Sequence, residues 1–253
     1  MEKIWKEAIP PMRLNFGEAH VWLTSSDFAP VHMEYLTHVL TEKERENAGR
    51  FHFEIDRRRY IIAHFFLRSL LGAYTNNLPE KLVFSAGPYG KPYLLQHADN
   101  HTRENFKLFF NLSHSHDMII LALTLEGEIG ADIEYMRPIG DIDSIAQQFF
   151  SPEEYTNLVS LPEEQKIAAF YTCWSRKEAV IKASGLGLAM PLDSFSVSLQ
   201  ANTSRQTVCV FTDGAPQSRW NVYSLPPVQD YAVALALRNN ISTISCFVWK
   251  SIY

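Results

Sequence analysis

One pattern occurs twice in this chain, and the repetition limits the folds open to it. Asp117 to Leu125 is an almost unbroken apolar run after a polar turn, and Asp230 to Arg238 repeats it in kind. Both read as buried strands, since short apolar runs bounded by turn residues fill sheet interiors. Ahead of each lies a helical stretch closed by a glycine: Arg57 to Leu71 before Gly72, and Gln165 to Ser184 before Gly185. Shorter strands are predicted at His20–Leu23, Leu82–Ser85, Lys107–Leu112, Phe195–Leu199, Thr207–Phe211, Asn221–Leu225 and Cys246–Lys250. Helices mixed with antiparallel meanders give an α+β class rather than a parallel βαβ wind. The pattern implies two similar α+β halves, 1–126 and 127–253, dividing near Glu126-Gly127-Glu128. A pseudo-two-fold would relate them, and the cleft at their junction is the expected binding site.

Chemistry concentrates in two stretches. Asp132-Ile133-Glu134 ends a strand-like segment, Ile129-Gly130-Ala131, and alternate residues of a strand share a face, so the two carboxylates point together. The second stretch lies in Glu163 to Ser184, which holds no Pro or Gly and reads as helix; there Trp174, Glu178 and Lys182 recur every four residues as one stripe. Alone, a Glu–Lys pair four apart is a solvated helix face, and Asp-x-Glu is a polar strand end. Together, three carboxylates and a lysine would form a site for a hard cation with a positive charge beside it. Magnesium takes a few carboxylates and completes its shell with water and substrate phosphates. Transfer at a phosphate is the chemistry implied.

Composition narrows the alternatives. The chain has 253 residues, 46% of them apolar, which supports a real core. Lys and Arg total 23 against 28 Asp and Glu, a mildly acidic balance that argues against a general nucleic-acid binder and makes any electropositive surface local. Three scattered cysteines, Cys173, Cys209 and Cys246, form neither a disulfide framework nor a zinc pair, so a reducing cytosol is the expected home. Met1 to Glu7 carries acids without an apolar core, so no signal peptide is read, and no apolar run is long enough to span a membrane.

Further residues fit an anion site. Asn111-Leu112-Ser113-His114 closes a strand, where a hydroxyl and an imidazole can donate to an anion or simply stabilise a turn. His114-x-His116 has the spacing of a metal pair, but no further His/Cys cluster supports zinc. Gly87-Pro88-Tyr89-Gly90-Lys91-Pro92 places Lys91 in a stiff loop, a phosphate or base contact if the loop faces the cleft. Arg57-Arg58-Arg59, with Arg50 upstream, is the densest basic patch, suited to phosphate by the planar guanidinium fork; Arg58 and Arg59 are not separable from sequence.

With these residues assembled, the chain resembles the surfactin-synthetase-activating (Sfp-like) class of 4'-phosphopantetheinyl transferases from about Leu40 to Leu237. The resemblance runs through Tyr89 to Pro92, Phe110 to Ser115, Ile129 to Glu134, Phe149 to Tyr155, and most specifically Trp174 to Lys182 with Gly185-Leu186-Gly187-Leu188. It implies a pseudo-dimeric α+β fold that binds coenzyme A between its halves. The implied reaction moves the phosphopantetheine arm to a serine of an acyl or peptidyl carrier protein and releases 3',5'-ADP. By the resemblance, Asp132, Glu134 and Glu178 hold magnesium, or manganese in its place. Lys182 contacts the pyrophosphate and steadies the leaving phosphate. Ser113 and His114 bind coenzyme A phosphates, and Lys91 sits in the nucleotide loop. Relatives often carry basic residues where this chain has Glu44 and Asn47, so the 3'-phosphate grip falls to Arg45, Arg50 or His114. Glu178 or Glu134 would take the serine proton. The protein is expected to act as a cytoplasmic monomer, with neither nucleic acid nor membrane as partner. A metal-dependent phosphohydrolase acting on a nucleotide pyrophosphate, and a non-catalytic carrier-binding module, are the competing readings.

Overall fold

The computed structural model describes residues 4–10, 12–27, 33–95, 107–212 and 215–249. Strands β1 (Trp5–Ala8) and β2 (Glu18–Ser25) come first, then helices α1 (Met33–Val39), α2 (Glu42–Gly49) and the long α3 (Glu54–Thr75). A small hairpin, β3 (Phe84–Ala86) and β4 (Pro92–Leu94), precedes β5 (Phe109–Ser115), β6 (Met118–Thr124) and β7 (Ile129–Tyr135). Next are α4 (Ile142–Phe149), α5 (Pro152–Val159) and the long α6 (Glu163–Ser184). Strands β8 (Arg205–Thr212), β9 (Ala215–Ser224), β10 (Tyr231–Leu237) and β11 (Thr243–Trp249) complete the order. Lys250, in the expected last strand, and Met1 to Lys3, in the segment read for a leader, lie outside the described residues. Among the described residues, no helix is long and apolar enough to cross a membrane.

The expected α+β architecture is present as two sheets, each backed by one 22-residue helix. The first sheet has the order β1-β11-β2-β6-β5 and the second β7-β10-β9-β8. Side-chain alternation builds the layers. On β6, Ile119, Leu121 and Leu123 pack toward α3, while Ile120 and Ala122 face the second sheet. On β10, Ala232, Ala234 and Ala236 pack toward α6, while Leu235 and Leu237 face the first sheet. The two repeated strands thus play matching parts in their own sheets. The turn at Glu126-Gly127-Glu128 is where the chain passes from one sheet to the other. Strand β11 crosses back, lying parallel between β1 and β2, so the last described strand completes the first sheet.

A second correspondence escaped the sequence reading. Thr41 and Glu44 form a capping box at α2, and Ser151 and Glu154 form one at α5. Each glutamate also receives a basic side chain from the long helix of its half: Arg68 donates to Glu44 at 2.8 Å, and Lys177 to Glu154 at 2.7 Å. Arg68 and Lys177 each stand fourteen residues after the first residue of their helix. The Lys177–Glu154 pair is buried, while buried Arg68 meets a half-buried Glu44; further hydrogen bonds to backbone carbonyls hold both cations, the condition under which buried charge is tolerated.

Two local expectations need correction. Phe195–Leu199 is not a strand: Val197 N–H donates to Glu154, Ser198 N–H to Gln206, Phe195 carbonyl accepts from Lys177 and Ser198 carbonyl from Arg176. Side chains satisfy this backbone, so it needs no neighbouring strand. Gly72 does not end its helix, which continues to Asn76, left-handed at φ 52°. A β-carbon at 72 would lie 2.8 Å from the Asn77 carbonyl oxygen, so the glycine makes room for the chain returning over the helix. Gly185 does close α6, at φ 70°.

Buried under α3, His20 shares hydrogen bonds with Tyr74, which also accepts from Trp22. Burial lowers the His20 pKa from 6.5 to about 4, against the weaker opposing pull of Glu18. The unfolded chain therefore binds this proton first as pH falls, and the His20 contribution, complete above pH 6.5, is lost progressively down to about 4. That amounts to about 3 kcal/mol. Urea unfolding of the parent and of His20→Gln from pH 7 to 4 measures it: the difference in stability should shrink by about that amount as pH falls, and parallel curves would contradict the buried neutral imidazole.

Candidate active site

Small residues bring α6 onto the second sheet. Gly130 on β7 and the three alanines of β10 face the helix, and a β-carbon at Gly130 would lie 2.1 Å from the Ala179 carbonyl oxygen. With α6 this close, its Glu178 and Lys182 stand against the same face of β7 that carries Asp132 and Glu134, while Ile133 points into the core between the sheets. The seam on the other side is stitched by a polar stripe along β5. Asn111 accepts from the Ala131 N–H at 2.8 Å, Ser113 donates to Asp132 at 3.1 Å, and Ser115 donates to Glu134 at 2.9 Å. The site therefore lies where β5, β7 and α6 meet.

Asp132 is its centre. The side chain is 1% exposed; Oδ1 accepts from Lys182 Nζ at 2.5 Å and from Ser113, while Oδ2 is buried without a hydrogen-bond partner. Lys182 also donates to Ser113 at 2.8 Å. Burial, then the Asp132 charge, raises the Glu134 pKa, and the same two causes in the same order raise that of Glu178. His114 is exposed on one side and walled by protein on the other. This partial desolvation, then Lys182, His64 and Arg59, lowers its pKa.

Two openings reach this cluster. A cavity of about 480 Å³ is lined by Glu134, Ser115, Arg59 and Arg137 together with aromatic walls from Tyr135, Phe170 and Trp174. On the other flank an apolar groove of about 490 Å³ is lined by Glu178 and Lys182 with Phe149, Ile181, Met190 and Leu192. Trp174 stacks on Phe170, their rings 5.8 Å apart, and so forms part of the first wall.

As for a metal, no group of three His, Cys, Asp or Glu side chains among the described residues stands ready-arranged as a ligand cage. The donor chemistry nonetheless fits a hard cation. The set is all oxygen, one buried carboxylate oxygen is orphaned, and two further carboxylates are disfavoured as anions by burial and then by that neighbour. Lys182 supplies the positive charge in the cluster as it stands.

Of the residues singled out from sequence, the structure brings together Ser113, Asp132, Glu134, Glu178 and Lys182, with His114 beside them. Others stand differently. Arg50 caps α2 through its own backbone and points to solvent. Between Arg58 and Arg59, it is Arg59 that lines the cavity and acts on His114. Arg45 donates to the Leu40 carbonyl, and Glu44 is committed to Arg68, so neither faces an incoming anion. Lys91, expected in the nucleotide loop, donates its ammonium to Glu128, the Ile129 carbonyl and the Ala183 carbonyl, which uses all three of its N–H bonds. His116 stacks on Tyr135 and pairs with Asp117 rather than with His114. Ser115 and Gly130 were missed. The alternation Asn111-x-Ser113-x-Ser115 was a readable sign of the first, as a polar face on an otherwise buried strand.

Comparison with known proteins identifies the family. Residues 128–236 match the profile of the 4'-phosphopantetheinyl transferase superfamily, and residues 26–126 match that of the 4'-phosphopantetheinyl transferase N-terminal region. The 4'-phosphopantetheinyl transferase HetI of Nostoc sp. (strain PCC 7120) is 34% identical over 94% of each chain. Psf-1 of Bacillus pumilus, of the same description, is 32% identical over 85% of this chain and 88% of its own. Sfp of Bacillus subtilis (strain 168) is 36% identical over 63% and 66%.

Gly130→Ala tests the packing that assembles this site. The added carbon forces α6 off β7, which should cost roughly 1–3 kcal/mol in overpacking and separate Lys182 from Asp132. Denaturant melts and a transfer assay on the same variant check both effects, and a parent-like result in each would contradict the close approach.

Proposed function

The chain belongs to the 4'-phosphopantetheinyl transferases, enzymes that use coenzyme A to modify carrier proteins, and from that premise we propose how its cleft carries out the transfer. The carrier's serine oxygen bonds to the coenzyme A phosphorus nearer the pantetheine. The bond from that phosphorus to the bridging oxygen breaks, and 3',5'-ADP leaves with the electron pair. The single observation that carries this reading is the Lys182–Asp132–Ser113 cluster, with Glu134 and Glu178 beside it and an opening on each flank.

Charge is the difficulty in this reaction. A pyrophosphate repels the electron pair of an attacking alcohol until its anionic oxygens are neutralised. Lys182 would hold the pyrophosphate and balance the charge gathering on the departing oxygen. Asp132, Glu134 and Glu178 would hold magnesium or manganese, which when bound supplies further neutralisation of the phosphates. Ser113 would donate its hydroxyl to a phosphate oxygen. His114 and Arg59, at the rim beside Lys182, would hold the nucleotide's phosphates, in the place left by the commitment of Glu44 to Arg68.

Glu178 is our choice for the group that receives the serine proton. Glu134 is tethered by Ser115, whereas Glu178 makes no hydrogen bond or ion pair among the described residues and lines the apolar groove. Arg59 and Asp132 come from the first half of the chain and the second respectively, so one chain supplies both walls and would act as a monomer. The three cysteines are free, in keeping with a reducing cytoplasm.

Mass spectrometry of apo carrier proteins after incubation with coenzyme A and magnesium tests the reaction. A phosphopantetheine mass on the carrier serine is expected. Steady release of phosphopantetheine from coenzyme A without carrier would instead favour a hydrolase. Glu178→Gln should lower kcat by on the order of 10²–10⁴-fold with little change in stability, and an undiminished rate would remove Glu178 from the proton path.

A further inference from the structure

We propose that Lys91 is a positioning residue that bolts the C-terminal end of α6 to the start of β7, so fixing Lys182 against Asp132; the kinetic side of the claim rests on the transferase reading. Lys91 enters from the first half of the chain, on the hairpin formed by β3 and β4. A tight turn presents it: Gly87 N–H donates to the Lys91 carbonyl at 2.9 Å, Gly90 N–H donates to the Gly87 carbonyl at 3.0 Å, and Gly90 sits at φ 85°. The side chain then crosses to the second half, where its ammonium meets three acceptors.

Each acceptor has a structural meaning. Ala183 directly follows Lys182, and its carbonyl belongs to the last turn of α6, whose carbonyls lack partners within the helix. Lys91 donates to it at 2.8 Å, placing a positive charge at the negative end of the helix dipole. Ile129 begins β7 three residues before Asp132, and its carbonyl accepts at 3.0 Å. Glu128 accepts at 2.7 Å and balances the charge. The aliphatic stem lies on Gly185, where a β-carbon would come within 3.2 Å of Lys91 Cδ. The Lys91 side chain is 16% exposed, and burial outweighs Glu128 in lowering its pKa.

This arrangement competes with a ligand role. An ammonium has three N–H donors, so a phosphate could recruit Lys91 only by displacing one of these three acceptors. Gly130 sets how near α6 lies to β7. Lys91 sets where along β7 the helix ends, and hence where Lys182 falls relative to Asp132.

The test uses Lys91→Met and Glu128→Gln in the full chain, with three readouts. In the free protein, hydrogen exchange at the amides of residues 183–187 should quicken ten-fold or more in Lys91→Met and several-fold in Glu128→Gln. In transfer to an apo carrier protein, kcat should fall ten-fold or more for Lys91→Met and about three-fold for Glu128→Gln. Coenzyme A affinity by calorimetry should stay within two-fold of the parent for both. A ten-fold loss of affinity in Lys91→Met with kcat unchanged would make Lys91 a ligand contact and overturn the proposal, as would unaltered exchange in both variants. If Lys91→Met does not fold, Glu128→Gln decides by the same readouts, since Glu128 is partly exposed and its loss leaves two of the three bonds. The exchange measurement needs no substrate, so a parent chain that failed to modify any carrier would count against the transferase reading and not against the clamp.

Discussion

At Gly130 a hydrogen atom stands where any other residue would carry a carbon 2.1 Å from a helix carbonyl. That clearance lets α6 lie directly on β7, and the geometry of the Lys182–Asp132 cluster follows from it. Lys182 reaches Asp132 only because the helix axis is close enough for an ammonium to meet a carboxylate buried to 1% exposure. An isolated buried carboxylate would give up its charge by taking a proton. Here the ammonium and the Ser113 hydroxyl satisfy one oxygen, and the other remains unpaired. The cluster is thus stable as it stands and still has capacity for a further cation.

The two halves share a plan but differ where chemistry is required. Both set a capping-box glutamate against a basic residue fifteenth in a 22-residue helix, and both bury a repeated strand beneath that helix. The helix-facing positions of that strand diverge. In the first half they are Ile119, Leu121 and Leu123, and in the second Ala232, Ala234 and Ala236. Large side chains hold α3 away from its sheet and fill the gap with a conventional core, whereas alanines admit α6. The buried ion pairs act in the same direction. A charge pair this deep contributes little net stability over apolar packing, but losing either partner costs several kcal/mol, so the pair strongly specifies one helix placement.

Much of the fold was legible because burial leaves a period in the sequence. The strands at Met118 and Tyr231, the uninterrupted helix ending at Gly185, and the shared face of Asp132 and Glu134 all follow from spacing alone. What stayed hidden depends on contacts between distant segments. Phe195–Leu199 has the composition of a strand, yet its backbone partners are Glu154, Lys177, Arg176 and Gln206, none of which is predictable from the segment itself. Gly72 looked like a helix terminator because the returning chain that needs its bare surface is not visible locally. Lys91 looked like a ligand contact because a lysine between turn residues is typically exposed, and only the fold reveals three carbonyl and carboxylate oxygens around it.

The acidic cluster is built across the seam between the two sheets. Strands β5 and β7 belong to different sheets and share no ladder, so the buried polar groups along their junction must be satisfied by side chains. Asn111, Ser113 and Ser115 do this from one face of β5, and each bond lands on or beside a residue of the acidic cluster. Ser113 and Ser115 orient Asp132 and Glu134, and Asn111 anchors β7 one residue before Asp132. The second half supplies the acids and the lysine; the first supplies the hydroxyls that aim them and the arginine and histidine that line the rim. A change that slid β5 by one residue would turn this polar stripe to the opposite face, leaving the acids buried and unaimed even with every one of them still in the chain.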